Sequence, residues 1–528
     1  MAGTVATETD RMHVRLAELV AALSLGIDLG FGQPMEHVLR QCLISLRLAE
    51  AIGLDGDQRA DVYYTALLVN VGCHTDAHEQ AKWFGDDIAV KSIKYDHEQR
   101  SIKMAMAGMS KLGSGLAPLH RFRLGLEFAI SGHRETDSMI AHHAAIARSM
   151  GEHLDLPAGV IDSLGAAYER WDGKGWPGDL AGDDVPLPSR IAQLAEYAEV
   201  ANRLGGVAAV RELAHERRGA QFDPTLCDAI DSEGDVILSG LDDIGTWDAV
   251  IEAEPKLAVV LSGERLDDAL VALADFIDLK SPYFLGHARA VAELAREAAR
   301  RLDVDPLTVY RAGLVHDWGR MGVSNAIWDK PGPLGAGEWE RVRLEPKITE
   351  SMLRQSDALA PLAAIAVQHR ERLDGSGYPS GLSGSAIARP ARILGAADAY
   401  QAMREPRPHR AALSAEAAAA ELRAEVKAGR LDRDAVDAVL AAAGHRVPRR
   451  REGPAGLTAR EVEVLVLVAR GMSNKQIADR LVITAKTVGN HVEHIYSKIE
   501  AKNRAGASLF AMRHGLLPEE GFPGHQTA

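Results

Sequence analysis

The sequence predicts an all-α protein: a helical domain present twice, followed by a smaller helical domain. Three observations carry that prediction. Apolar residues recur at helical spacing, as in Gly286–Leu302, where His287, Val291, Leu294, Ala298 and Leu302 share one face, while alternating β-branched runs are nearly absent. A Gly-rich phrase closed by an aromatic-Pro pair occurs twice, as ERWDGKGWPGDL at Glu169–Leu180 and as ERLDGSGYPSGL at Glu371–Leu382. Beyond a linker rich in Arg, Gly and Pro (Gly444–Gly456), three helix-start signatures follow in succession.

The repeat is larger than the phrase. IDLGFGQPMEH, ending at His37, aligns with IDLKSPYFLGH, ending at His287; Val62–Gly72 aligns with Val309–Gly319; and Ser189–Ala198 aligns with Ala391–Tyr400. Four blocks in one order define a duplicated domain, at roughly 1–250 and 260–447, with a third domain at 453–520.

Composition narrows the setting. The 528 residues are 46% hydrophobic and 25% charged, enough for packed cores in roughly three domains. Cys42, Cys73 and Cys227 are scattered without CxxC spacing, which argues for a reducing compartment and against a disulfide framework or a thiolate zinc site. The N-terminal stretch has no apolar signal core and no long apolar run follows, so a cytoplasmic protein without membrane contact is expected. Residues 446–528 hold 13 Lys and Arg against 8 Asp and Glu, so this part carries +5 and residues 1–445 carry −19 of the net −14. A basic end on an acidic body suits a tail that meets a polyanion, although chance surface composition gives the same bias.

In the second copy, His316 and Asp317 stand side by side at a helix end, His287 projects from an apolar face, and His369 and Asp398 lie on inward stripes of their helices. One core histidine is usually structural. This ordered set of imidazoles and carboxylates makes a plausible divalent-metal site of mixed N and O ligands, able to activate water and offset phosphoryl charge.

The order His, His-Asp, His, Asp, with HDWGRMGV, KPGPL and DGSGYP between, resembles the HD-GYP branch of the HD metal-dependent phosphohydrolases over about 180 residues. The resemblance implies an all-α fold, a transition-metal pair (iron or manganese) and a cyclic dinucleotide such as cyclic di-GMP as substrate. By matching position it makes His287, His316, Asp317, His369 and Asp398 metal ligands. It gives Asp317 and Arg320 the catalytic roles, with Arg320 where the family has a phosphate-contacting Lys. Gly375, Gly377 and Tyr378, closed by Pro379, then form the substrate-side loop.

The chain also departs from that pattern. Glu345 and Arg370 stand where two further imidazole ligands are expected, and Tyr283 stands where members with a third metal have Glu. The remaining residues suffice for a single metal. A Glu345–Arg370 ion pair filling the second metal's place is one expectation; Arg370 turned to solvent with Glu345 a weak ligand is the other. In the first copy Val69-Asn70 replaces His316-Asp317, Glu196 replaces Asp398 and Ala167 replaces His369, while His37 remains and His143 falls opposite Glu345. A valine cannot ligate, so this copy reads as a non-catalytic partner or sensor.

In the tail, Thr458 to Glu461 and Ser473 to Gln476 are capping boxes, and Thr484 caps a third helix whose buried stripe is Val488, Val492, Ile495 and Ile499. A short helix, a turn and a longer helix with an exposed polar face fit helix-turn-helix geometry, or any small helical bundle. LTAREVEVL, GMSNKQIADRL and TAKTVGNHVEHIYSKI resemble the LuxR-type DNA-binding domain over about 60 residues. That resemblance implies four helices, residues 485–499 in the major groove of double-stranded DNA, dimeric binding, and Lys475, Lys486, Thr487, Asn490, His491 and Lys498 as contacts. Gly489 departs from it. The expected protein is a LuxR-type regulator, a homodimer, whose HD-GYP-like copies hydrolyse or sense a cyclic dinucleotide. The alternative is a catalytically inactive sensor or dimerisation scaffold controlling DNA binding.

Overall fold

The computed structural model describes residues 12–97, 102–113, 118–128, 133–241, 245–256, 258–447, 453–481 and 483–517. Their regular secondary structure is nearly all helix, and the chain divides into two compact units, Met1–His445 and Arg446–Ala528. Both copies of the repeat lie in the first unit.

The copies share a matching set of elements. Helices His37–Ala51 and His287–Arg301 are both 15 residues long. Each begins after a residue in the left-handed region, Glu36 at φ 75° and Gly286 at φ 74°. Each also has its second backbone N–H bound by an aspartate ten residues earlier: Val38 donates to Asp28 (3.0 Å) and Ala288 to Asp278 (2.9 Å). The next helix (Gly56–Leu68; Pro306–Val315) runs into a short 3-10 turn (Val71–His74; Trp318–Gly322). That turn passes a long helix (His133–His153; Ala336–Leu353) so closely that a glycine is required. A Cβ on Gly72 would lie 2.2 Å from the His143 carbonyl oxygen, and one on Gly319 would lie 2.1 Å from that of Glu345. His143 and Glu345 therefore occupy equivalent places. Gly319→Ala should lower stability by about 1–3 kcal/mol or more through backbone overlap, read as a reduced urea midpoint.

The duplicated phrase is an elbow clasped by its own first residue. Glu371 accepts hydrogen bonds from the N–H groups of Ser380 (2.8 Å) and Leu382 (2.9 Å), and Glu169 accepts from Gly178, Asp179 and Leu180. In the first copy the following helix continues to Arg217 across a break at Gly206, while in the second it stops at Arg404 and a new helix starts at Ala415.

The copies are joined at their starts by the strand pair Val14–Arg15 with Val260–Leu261, antiparallel. Their cores then meet where Gly26 packs on Met321 and Met352. Buried Asp87, in the first copy, accepts from the Ser324 hydroxyl (2.6 Å) and the Asn325 N–H (2.8 Å), next to the turn that carries Arg320.

The second unit is a four-helix domain: Ala459–Ala469, Asn474–Leu481, Ala485–Lys498 and Arg504–Arg513. Thr458 and Glu461 form the first capping box, Ser473 and Gln476 the second, and Thr484 accepts from the Thr487 N–H (3.1 Å). Val464, Leu465, Val468, Ile477, Val488, Ile495, Ala507 and Ala511 form its core, with Val492 and Ile499 packed against it. Among the described residues no helix is long and apolar enough to cross a membrane, and all three cysteines are buried and unpaired.

Candidate functional site

Five side chains from four helices converge in the second copy. His287 starts its helix, His316 and Asp317 end theirs, His369 follows the short helix Ala360–Ala366, and Asp398 sits mid-helix in Arg389–Arg404. All five are buried, none more than 2% exposed. Each imidazole has its Nδ1 fixed from behind: His316 on the Gly313 carbonyl (2.6 Å), His369 on the Ala366 carbonyl (2.6 Å) and His287 on Glu405 (2.8 Å). Held this way, all three Nε2 atoms point into the cluster, as imidazole ligands do when an outer partner sets their tautomer. His316 Nε2 lies 2.9 Å from Asp317 Oδ2, and His287 Nε2 lies 3.3 Å from Asp398 Oδ1.

Those three Nε2 atoms and all four oxygens of Asp317 and Asp398 are buried without a hydrogen bond of acceptable geometry. Buried polar atoms are almost always satisfied, so a converging set of donors and carboxylates of this kind suits a bound cation. Two overlapping triads, His287–His316–Asp398 and His316–Asp317–His369, have ligand atoms within 4.8 Å of one another and are able to hold a metal ion. The residues present fit a divalent ion.

Cationic side chains already lean on this cluster. The Arg370 guanidinium lies 2.7 Å from Asp398 Oδ2 and 3.8 Å from Asp317 Oδ1, and Arg320 pairs with Asp317. The Glu345–Arg370 ion pair is not formed. Glu345 accepts instead from the Thr349 hydroxyl (3.0 Å), and no ion pair joins it to Arg370 among the described residues. The reason is electrostatic. Burial, with Asp317 beside it, pushes the Glu345 carboxyl up to about 8, so the ionised Asp398 and Asp317 are the stronger partners for a guanidinium. Arg370 is not turned out to solvent either, its side chain being 21% exposed. Burial and then Arg370 push His369 down to about 3, leaving it a neutral imidazole.

Arg320 packs over the Phe284 ring (4.1 Å), and so does Arg407 (5.0 Å). Arg407 is fixed by the Tyr283 carbonyl (2.6 Å) and by Glu405 (2.9 Å), the residue that also holds His287. Sequence reasoning missed Glu405 and Arg407; their only signal was a run of arginines after Asp398. Tyr378 donates its N–H to the Arg370 carbonyl (3.3 Å), and a Cβ on Gly377 would lie 2.4 Å from the Arg372 nitrogen. Gly375 takes φ 81°. The loop of Gly375, Gly377 and Tyr378 thus locks the turn bearing His369 and Arg370.

In the tail, Lys475, Lys486 and Asn490 are exposed, and Thr487 and His491 are half-buried on the same helix-turn-helix. Lys498 is exposed as well, and its ammonium also reaches Glu461 (2.8 Å) and the Gly456 carbonyl (3.2 Å). Arg449, Arg450 and Arg451 of the linker lie outside the described residues. A Cβ on Gly489 would meet open space, so Gly489→Ala should stabilise its helix by roughly 1 kcal/mol, read as a higher midpoint for the tail.

Residues 91–226 and 272–435 match the HD domain family, and residues 455–511 match the luxR family of bacterial regulatory proteins. The 3'3'-cGAMP-specific phosphodiesterase 3 of Vibrio cholerae is 31% identical over 405 residues, 75% of this chain and 88% of that one. The cyclic di-GMP phosphodiesterase response regulator RpfG of Xanthomonas campestris is 35% identical over 183 residues, 34% of this chain and 48% of that one. The crystal structure of a cyclic GMP-AMP specific phosphodiesterase of V. cholerae (V-cGAP3) superposes with a TM-score of 0.58 at 26% identity, over 82% of this chain and 99% of that one. The chain belongs to the HD-domain family and joins a phosphodiesterase-like HD region to a LuxR-type DNA-binding domain.

Proposed function

We propose that the chain is a cytoplasmic, homodimeric transcriptional regulator whose second repeat, 260–447, binds a single divalent transition metal, iron or manganese, and takes a cyclic dinucleotide. The first repeat, 1–250, is a non-catalytic partner, and residues 453–520 read double-stranded DNA. The observation that carries this reading is the convergence of seven buried N and O atoms from His287, His316, Asp317, His369 and Asp398, none making a hydrogen bond of acceptable geometry. A metal bound there would supply water activated at neutral pH and offset charge on a phosphoryl oxygen. The chain's own residues do the positioning. Glu405 holds His287 in the ligating tautomer, and Arg320 and Arg407, both against Phe284, present fixed positive charge for bridging phosphates. Gly375, Gly377 and Tyr378 lie beside Arg370, as a substrate-side loop would. Relatives named as 3'3'-cGAMP and cyclic di-GMP phosphodiesterases support this substrate class.

One observation favours the second reading, a sensor that binds without hydrolysis: Arg370 lies on both Asp398 and Asp317, where another metal would need the same carboxylates. Elemental analysis of purified protein, followed by binding and hydrolysis assays with cyclic di-GMP, 3'3'-cGAMP and a simple phosphodiester, tests both. Metal with turnover supports the enzyme and metal with binding alone the sensor. Protein that neither holds metal nor binds a cyclic dinucleotide would overturn the proposal.

On DNA, Lys486→Ala and Asn490→Ala should each weaken operator binding. The lysine change should also flatten the salt dependence, and metal content should stay unaltered in both.

A further inference from the structure

The first copy has its own cluster at the place equivalent to the metal-binding residues, and the polar side chains of His37, Asn70 and Glu196 in it are all hydrogen-bonded. His37 matches His287 as the opening residue of its helix, Asn70 matches Asp317 two residues before the close-packed glycine, and Glu196 matches Asp398. Into this group comes a side chain from a segment with no counterpart among the repeated blocks. The Lys94 ammonium lies 2.5 Å from Glu196 Oε1 and 3.1 Å from Asn70 Oδ1, and it packs over the rings of Phe31 (4.5 Å) and Tyr95 (5.0 Å). The Tyr95 hydroxyl donates to Glu196 (2.9 Å) and lies 3.3 Å from His37 Nε2, while the Asn70 amide donates to Glu196 (2.6 Å).

The contrast between the copies is in the orphans. His287 Nε2 and the oxygens of Asp317 and Asp398 make no hydrogen bond of acceptable geometry, the two carboxylates meeting only the ion-paired guanidinium groups of Arg320 and Arg370 and neighbouring imidazoles, whereas no buried side-chain atom of His37, Asn70, Glu196 or Lys94 lacks a hydrogen bond among the described residues. We infer that Lys94 is a resident cation, holding in the first copy the place that the second copy keeps for a metal ion. Three features argue for this over an incidental buried ion pair. Of the five positions that match ligands, three keep a polar side chain: the ammonium touches two of them, Asn70 and Glu196, and the tyrosine beside it covers the third, His37, while Val69 and Ala167 have no ligand to offer. Burial works against the ammonium, but its acidic surroundings, Glu196 foremost, outweigh it and raise its pKa, favouring the charged form. A dication entering this copy would have to displace a monocation held in a buried site, a large Coulombic cost. The first copy is therefore set in a cation-filled state, and only the second responds to metal supply. This inference does not depend on whether the second copy hydrolyses anything.

The test uses the full-length chain. Hydrogen exchange of the metal-loaded wild type, with and without a strong chelator, should show faster exchange around 312–318 and 394–400 and no change around 66–72 and 192–200. Glu196→Gln should leave the metal content of the purified protein unchanged. Lys94→Met should lower the thermal midpoint by several degrees. Combining Lys94→Met with Val69→His and Asn70→Asp should let each chain take up one additional divalent ion. Chelator-induced loosening around 66–72 and 192–200, or loss of bound metal in Glu196→Gln, would overturn the inference without bearing on the second copy's chemistry. These two readouts need no variant at Lys94, so they decide the matter even if Lys94→Met does not fold.

Discussion

Protein carrying His316→Ala with Asp317→Ala should be purified without bound metal. Asp317 and His316 share one of the two ligand triads and His316 belongs to both, so the pair cannot be removed without dismantling each. Even an outer partner of a metal-ligating histidine is worth about 10–100-fold in affinity, so loss of two inner ligands should exceed about 100-fold. The change also strips Arg320 of Asp317, its nearest carboxylate, leaving the guanidinium buried at 3% exposure with only Asp278 at 4.0 Å. Hydrolysis or binding of a cyclic dinucleotide should fall with the metal. The DNA-binding unit folds around its own core, so its thermal transition should stay in place. Elemental analysis and calorimetry on the same preparation check both halves of the expectation.

Arg370→His should act in the opposite direction. With the guanidinium 2.7 Å from Asp398 and 3.8 Å from Asp317, wild-type Arg370 competes for two carboxylates that a metal needs. Replacing it by a neutral imidazole removes that competition and adds a donor, so metal affinity should rise by about 10-fold or more, the scale of changes just outside a ligand shell. Glu345→His alone should do little, because the guanidinium remains. The two together should give the highest occupancy and the highest phosphodiesterase rate, with a coupling between them that a double-variant cycle measures. Had the guanidinium been paired with Glu345, neither single change would have helped. A metal titration of the four proteins decides between these arrangements.

Much of this was legible in the sequence, and the reasons are specific. The repeat was readable because both elbows need the same glycines and the same leading glutamate, whatever chemistry the copy has kept. The inward cluster was readable because His287, Leu294 and Ala298, or Leu394 and Asp398, obey helical spacing. The capping boxes of the tail were visible as Thr458–Glu461 and Ser473–Gln476. What could not be read was partner choice. Arg370 had several acidic neighbours to choose from, and only their relative burial and ionisation put it on Asp398 rather than Glu345. Lys94 was hidden because it comes from a segment between the repeated blocks, with no matching residue to draw attention to it. Glu405 and Arg407 lie in the connection after Arg404, where spacing carries no periodic signal. The reach of Lys498 to Glu461 in the first capping box of the tail could not be read either, because it depends on how two helices pack.

The central claim is that an HD metal site and a LuxR-type DNA reader form one regulator. The most direct measurement is the affinity of the full-length protein for its operator at a fixed salt concentration, with metal present or chelated and with cyclic dinucleotide present or absent. The account predicts that affinity changes when metal or cyclic dinucleotide is added, and that the change disappears in His316→Ala with Asp317→Ala while Lys486→Ala weakens binding under every condition. An affinity indifferent to both metal and cyclic dinucleotide would contradict it.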